Sequence, residues 1–179
     1  VKYVALLRGI NVGDTNRVAM GRLKGTFENL GHGEVRTYIN SGNVLFTAPR
    51  RPARGLADQL ERRIVKEFGV DARVLVLPGS TLRRVAAAIP AKWSNDQSMK
   101  CDVLFLWPEF ASAKVVDRFQ IDRRHEDIRY SHPAILWRVD RSYVTRSAMM
   151  KLVGTDLYAG MTIRNCNTVR KLDAMVAAG

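Results

Sequence analysis

Twice along this chain the spacing of apolar residues changes in the same order: strand, helix, strand, strand, helix, strand. That order restricts the fold more than any short motif does, because a strand pair on either side of two crossover helices closes into one antiparallel sheet. In the first pass Lys2 to Leu7 is a near-continuous apolar run and predicts a buried strand. Met20, Leu23, Phe27 and Leu30 recur at helical spacing, and Gly31 and Gly33 stop that helix. Val35 to Ile39 alternates as a strand, Asn40-Ser41-Gly42 is turn chemistry, and Asn43 to Thr47 returns as the second arm of a hairpin. Pro49 to Pro52 is a basic linker. Leu56, Leu60, Ile64 and Phe68 then form an i, i+4 stripe, with Asp58 and Arg62 spaced to pair on the opposite face. Gly69 ends that helix, and Ala72 to Leu77 is a strand.

A short helix with Leu82, Val85, Ala86 and Ile89 inward follows, capped by Ser80 or Thr81 and halted by Pro90. Trp93 to Lys100 is a polar connection. The second pass then begins with a strand from Asp102 to Trp107 and a helix from Pro108 to Phe119. Asp127 to Ser131 and Ala134 to Val139 flank His132-Pro133 as a second hairpin. A helix over Ser142 to Leu152 ends at Gly154, Met161 to Arg164 is a short strand, and Thr168 to Ala177 is a last helix. The fold expected is α+β: two tandem ferredoxin-like (βαββαβ) subdomains with antiparallel sheets and a C-terminal helix. Their bounds are 1–78 and 101–179, joined by a helix and connection over 79–100. The repeat is one of element order only.

Charge narrows the partners. Twenty-nine Lys and Arg against seventeen Asp and Glu give +12 at pH 7. Residues 1–90 carry 15 basic and 7 acidic side chains, so the first half is the more cationic. Such a surface attracts phosphates, nucleic acid or anionic lipid, although an Arg-rich composition has the same effect without any partner. Two cysteines, Cys101 and Cys166, show no CxxC spacing and suit a reduced cytoplasmic protein. No basic-then-apolar leader opens the sequence, and no run reaches the ~18 apolar residues of a membrane span.

The densest polar chemistry sits where the first strand ends, at Arg8-Gly9-Ile10-Asn11-Val12-Gly13. In a βαββαβ unit the first strand pairs with the third, so this loop shares a sheet edge with Asn40-Ser41-Gly42-Asn43. One guanidinium, carboxamides, a hydroxyl and glycine N–H groups converge there, which suits an anion or a polar planar ligand. Every one of these residue types is also ordinary turn chemistry. The second polar stretch is Arg164-Asn165-Cys166-Asn167, where Asn165 or Asn167 caps the last helix and a preceding Arg favours an anion. The ligand-facing residues expected are Arg8, Gly9, Asn11, Gly13, Asn40, Ser41, Asn43, Arg164, Asn165 and Asn167. Asp14 reads as a turn residue or a base. Cys166, beside Arg164 and a helix N-terminus, reads as a lowered-pKa thiol or as a small buried side chain.

Catalytic patterns are sparse. His32, His125 and His132 lack metal-ligand spacing, so no metal site is expected. The sequence holds no GxSxG, P-loop or dinucleotide fingerprint. It names no cofactor and leaves open whether the protein is an enzyme. The function expected is binding of an anionic or phosphate-bearing small ligand at the first polar edge. The alternative is a nucleic-acid-binding module using the basic surface, with Tyr38 and Phe46 on the hairpin strands but without the RNA-recognition signature.

The same residues carry a resemblance. Tyr3 to Gly13, Val18-x-Met20, Arg36 to Phe46 and Thr162-x-Arg164-Asn165-x-Asn167-Thr168-Val169-x-Lys171-Leu172 together resemble the bacterial family called domain of unknown function 1697. The resemblance spans the chain. It implies a cytoplasmic α+β protein of two ferredoxin-like subdomains and implies no activity. Asp14 stands where that family commonly has a second Gly, and Cys166 where it commonly has Trp.

Overall fold

A computed structural model describes residues 1–179. The chain divides into two compact units, one of residues 1–82 with 178–179 and one of residues 83–177. The first unit runs β1 (Lys2–Arg8), α1 (Met20–Asn29), β2 (Gly33–Tyr38), β3 (Asn43–Thr47), α2 (Ala53–Phe68) and β4 (Arg73–Pro78), and α3 (Gly79–Ala88) crosses the division. Its four strands form one antiparallel sheet in the order β2-β3-β1-β4.

The central strand is buried throughout its middle, which is why Tyr3 to Leu7 reads as an unbroken apolar run. Period two sends Tyr3, Ala5 and Leu7 to one face with Val44, Phe46, Val74 and Val76. On that face lie Leu23 and Phe27 of α1 and Leu56, Leu60 and Ile64 of α2. Burying a side chain of this size is worth ~1.5–3 kcal/mol, so the two amphipathic stripes and the sheet specify one another. Val4, Leu6 and Arg8 occupy the other face. Gly69 closes α2 at φ +65, its N–H reaching the Val65 carbonyl at 2.9 Å. Asp58 pairs with Arg54 at 2.9 Å, one turn before it, rather than with Arg62.

The second unit runs β5 (Met99–Leu106), β6 (Glu126–Ser131), β7 (Ala134–Asp140), α4 (Ala148–Leu152), α5 (Asp156–Ala159), β8 (Met161–Asn165) and α6 (Cys166–Ala177). Its sheet is antiparallel in the order β6-β7-β5-β8. Leu104, Leu106, Ile135, Trp137, Val139 and Met161 share its core with Val115, Phe119, Leu152 and Leu157.

Two expected helices differ. Pro108 to Phe119 forms two 3-10 turns, Pro108–Phe110 and Ala113–Arg118. Between them Ser112 is extended and its hydroxyl accepts the Lys114 N–H, a local bond that competes with helix continuation. Ser142 to Leu152 is likewise split into a 3-10 turn, Arg141–Arg146, and α4, with Ser147 extended at ψ 161. The break lies where the buried Glu126 carboxylate accepts the Ala148 N–H at 2.8 Å. The hairpin expectation also shifts at one point. Ile39 is outside β2, at φ +48, because the reversal to β3 needs left-handed backbone at both Ile39 and Gly42.

One buried titratable group makes the first unit sensitive to acid. His32 packs against Phe46 at 4.7 Å and Phe27 at 6.1 Å, and its Nε2 has no hydrogen-bond partner. Burial first, then the Arg51 charge, lowers its pKa below the usual 6.5. The unfolded chain therefore takes up the proton before the folded one does. Stability is full above the unfolded value and falls as pH drops through it toward the folded value. The opening free energy of β1 and β3 amides, taken from hydrogen exchange after correction for the intrinsic rate, should fall as pH drops below 6.5, and His32→Leu should remove that dependence. An unchanged pH dependence in the variant would contradict this.

Candidate functional site

The loop leaving β1 and the β2–β3 hairpin are fastened together at one sheet edge. The Leu7 N–H donates to the Gly42 carbonyl at 2.8 Å. Asn11 makes the tighter link. Its Nδ2 donates to the Asn40 carbonyl at 2.8 Å and to the Val18 carbonyl at 3.0 Å, while its Oδ1 accepts the Val18 N–H at 2.7 Å. One carboxamide thus straps the hairpin, the loop and the approach to α1. Asn11 itself sits at φ +49, a conformation Asn tolerates better than most residues.

Asn16 completes the loop. It sits at φ +52, its Nδ2 donates to the Gly9 carbonyl at 3.0 Å, and its own carbonyl accepts the Asn11 N–H at 3.0 Å. Gly9 at φ +90, Gly13 at φ +55 and Gly42 at φ +86 supply the remaining left-handed positions. At Gly42 a Cβ would stand 2.7 Å from Leu7 Cβ and 2.9 Å from Ile10 Cδ1, so only glycine fits. Ile39 at φ +48 is the outlier, since β-branched residues rarely adopt this region.

The expected site residues take different roles. Of the residues after β1, Asn11 meets Asn40 at this edge, next to the bond between Leu7 and Gly42. The carboxamides of Asn11 and Asn43 are turned inward, however. Asn43 is fully buried, its Nδ2 donating to the Tyr38 carbonyl at 2.9 Å and to Ser41 Oγ at 3.0 Å. The outward chemistry is left to half-buried Arg8, exposed Asn40 and Ser41, and the exposed backbone from Val12 to Asn16. Asp14 and Arg17 pair at 2.6 Å, which ties Asp14 to the loop's own surface.

Three residues outside the expected set also stand here. Arg73 lies directly across from Arg8 on β4, so two guanidiniums share one rung. Val12 and Ile39 are exposed apolar side chains flanking the Asn11–Asn40 link, at 62% and 49% exposure. Their signal was present as apolar residues inside turn chemistry, but periodicity assigns such residues to strands.

Arg164, Asn165 and Asn167 belong to the second unit. Arg164 is buried on β8, and its Nη1 donates to Thr162 Oγ1 at 3.0 Å and to the Ile163 carbonyl at 2.8 Å. Burial brings its pKa down to about 10. Asn165 caps α6 by accepting the Thr168 N–H at 2.9 Å, and Asn167 donates to the Asn95 carbonyl at 3.1 Å. These two carboxamides do structural work. Cys166 is buried too, and the guanidinium on its sulfur is that of Arg170, at 3.5 Å, rather than Arg164.

The second unit also holds an acid–base pair that no motif announces. His125 Nδ1 lies 3.0 Å from Asp140 Oδ2, and the imidazole stacks on Tyr143 at 4.4 Å. The hydrogen bond from His125, with Arg138 beside it, holds the Asp140 carboxyl below its ordinary range.

Residues 1–137 match a family described as protein of unknown function, DUF1697. The chain belongs to this family. Family membership agrees with the motifs from Tyr3 to Gly13 and Arg36 to Phe46, which lie within the matched span. The chain is also similar to a solved structure, a conserved bacterial protein from Streptococcus pneumoniae, with 29% identity, coverage of 98% of both chains and a TM-score of 0.81. A search of curated proteins gives no match. No helix is long and apolar enough to cross a membrane.

Proposed function

We propose that this family member binds a small anionic ligand at the edge formed by Arg8 to Asn16 and Ile39 to Gly42. The observation that carries the reading is the Asn11 strap. A single carboxamide holds two loops in register, and six residues around it, Gly9, Asn11, Gly13, Asn16, Ile39 and Gly42, keep left-handed backbone. Three of the six are not glycine. Such backbone is costly and persists where the surrounding structure over-determines it, a pattern that clusters at ligand-holding loops. Arg8 and Arg73 on one rung favour a negative group beside the loop. Val12 and Ile39 favour a ligand whose anionic group is carried on an apolar or planar body. We also read each unit as ferredoxin-like, a reading the strand orders β2-β3-β1-β4 and β6-β7-β5-β8 support, and the protein as cytoplasmic, which its two free cysteines support.

The test is thermal stabilisation of the whole chain by inorganic phosphate, nucleoside phosphates and organic carboxylates. A ligand present at a hundred times its Kd adds ~2.7 kcal/mol of stability. Arg8→Ala should leave the unliganded melting temperature within a degree or two and abolish the ligand's effect. Stabilisation of equal size in Arg8→Ala would place the ligand elsewhere.

The second reading is a nucleic-acid partner, favoured by the net charge of +12. Salt separates the two. A duplex-DNA binder loses affinity with a log–log slope of about −0.9 per phosphate contact. Phe46 weighs against base stacking on the hairpin, because it lies edge-on to Phe27 in the core at 5.2 Å.

A further inference from the structure

Cys101 and Cys166 are far apart in sequence and adjacent in the second unit. β5 and β8 are antiparallel, with Asp102 registered against Asn165. Continuing that register by one position, past the end of the ladder, matches Cys101 with Cys166, the first residue of α6. The last rung inside them, Asp102 and Asn165, is of the kind whose Cα atoms stand ~4.5–5.5 Å apart, and a disulfide bridges Cα atoms ~4.4–6.8 Å apart. The two side chains hydrogen-bond each other. Both are free thiols and both are buried.

The surroundings are unlike those of inert core cysteines. Arg170, one turn into α6, places Nη1 3.5 Å from the Cys166 sulfur and Nη2 2.8 Å from the Trp93 carbonyl and 3.2 Å from the Pro90 carbonyl. Asn95 Oδ1 accepts the Cys101 N–H at 3.3 Å, and the Asn95 carbonyl accepts from Asn167 at 3.1 Å. The segment from Pro90 to Asn95 is therefore fastened beside both thiols by polar side chains and backbone groups. Trp93 of this segment is buried, so exposure of the thiols requires the segment to lift together with its indole.

We propose that Cys101 and Cys166 form a peroxide-oxidisable dithiol, with Cys166 the attacking sulfur and Cys101 the resolving one. The Cys166 thiolate attacks one oxygen of a hydroperoxide. The O–O bond breaks, a sulfenic acid forms on Cys166, and the departing oxygen leaves as an alcohol or water with the proton Cys166 gave up. The Cys101 sulfur then attacks the Cys166 sulfur. The S–S bond forms, the S–O bond breaks, and water departs with the Cys101 proton. Two thiols are oxidised by two electrons and one hydroperoxide is reduced, so the step balances without a further reagent. The asymmetry of the pair agrees with these roles. The hydrogen bond from Cys101, then the Arg170 charge, lowers the Cys166 pKa, whereas donating that bond and burial raise that of Cys101.

The test is hydrogen peroxide added to the fully reduced, folded chain, followed by thiol titration and peptide mapping. Titratable thiols should fall from two per chain to none, a Cys101–Cys166 cross-linked peptide should appear, and dithiothreitol should restore both thiols. In Cys101→Ser the reaction should stop at a sulfenic acid on Cys166, trapped by dimedone. In Cys166→Ser, Cys101 should stay reduced at the same dose. Arg170→Gln should slow cross-linking severalfold at pH 7, because it removes the guanidinium 3.5 Å from the Cys166 sulfur. Two results overturn the proposal. One is retention of both thiols in the folded wild-type chain at a dose that oxidises them in denaturant. The other is oxidation to sulfinic or sulfonic acid with no cross-linked peptide.

Discussion

Glu126→Ala should destabilise the second unit by roughly 3–5 kcal/mol, a large fraction of the 5–15 kcal/mol that holds a typical domain together. The Glu126 carboxylate is almost fully buried and accepts three N–H groups. These are Trp137 Nε1 at 3.1 Å and the Ala148 N–H at 2.8 Å on one oxygen, and the Asp122 N–H at 3.0 Å on the other. Alanine leaves all three donors without an acceptor, in a site where two are shut off from water. Each such orphan costs ~1–3 kcal/mol. The carboxylate also stands at the first N–H of α4, where a negative charge is favoured. Glu126→Gln separates the two oxygens. Its amide oxygen can still serve Trp137 and Ala148, while its NH2 group meets the Asp122 N–H donor to donor, so the loss should be about half as large. Trp93, Trp107 and Trp137 all lie in the second unit, so urea unfolding followed by tryptophan fluorescence reads that unit directly. A loss under 1 kcal/mol in the alanine variant would show that the three bonds are not the anchor described.

Gly42→Ala should cost about 2–4 kcal/mol and act on the first unit. Two effects add. The backbone is at φ +86, where an L side chain is strained by ~1 kcal/mol or more. The added Cβ also meets Leu7 Cβ at 2.7 Å, an atom that cannot move without its backbone, and Ile10 Cδ1 at 2.9 Å, a side-chain end that can turn aside only in part because Ile10 is buried. The hairpin has to lift from β1, which breaks the bond from the Leu7 N–H to the Gly42 carbonyl and pulls Asn40 from Asn11. Gly13→Ala is the matched control. It shares a positive φ, +55, but its Cβ meets nothing within 4 Å, so only the conformational strain remains. Hydrogen exchange at Leu7 and Asn11 should rise sharply in the first variant and little in the second. Equal effects would mean that the close approach to Leu7 and Ile10 carries no weight.

The first unit was legible because its helices carry clean apolar stripes with glycine stops. Leu56, Leu60 and Ile64 fall under the sheet as their spacing requires, and Gly69 ends the helix by the expected left-handed cap. The segments after β5 and β7 carry helical apolar spacing but do not form the single helices that spacing implies, because serines interrupt them. Ser112 and Ser147 break those helices through local bonding and through Glu126, a partner more than twenty residues from α4 in sequence. At the candidate site the meeting of two loops was legible from topology. The direction of Asn11 and Asn43 was not, since a carboxamide in a turn has the same spacing whether it faces a ligand or its own backbone. Ile39 and Val12 were hidden for a related reason: apolar residues at strand ends look like strand. The pairing of Cys101 with Cys166 needs the register of β5 against β8, which no local pattern in the sequence specifies.

Amide chemical-shift mapping of the whole chain tests most directly whether the edge held by Asn11 is a ligand site. Inorganic phosphate and a nucleoside monophosphate are titrated separately into the wild-type protein and into Arg8→Ala. Saturable shifts should appear, confined to the backbone N–H groups of Gly9 to Asn16 and Asn40 to Gly42, and should be absent in Arg8→Ala. Shifts centred on other residues, or the same shifts persisting in Arg8→Ala, would contradict that assignment.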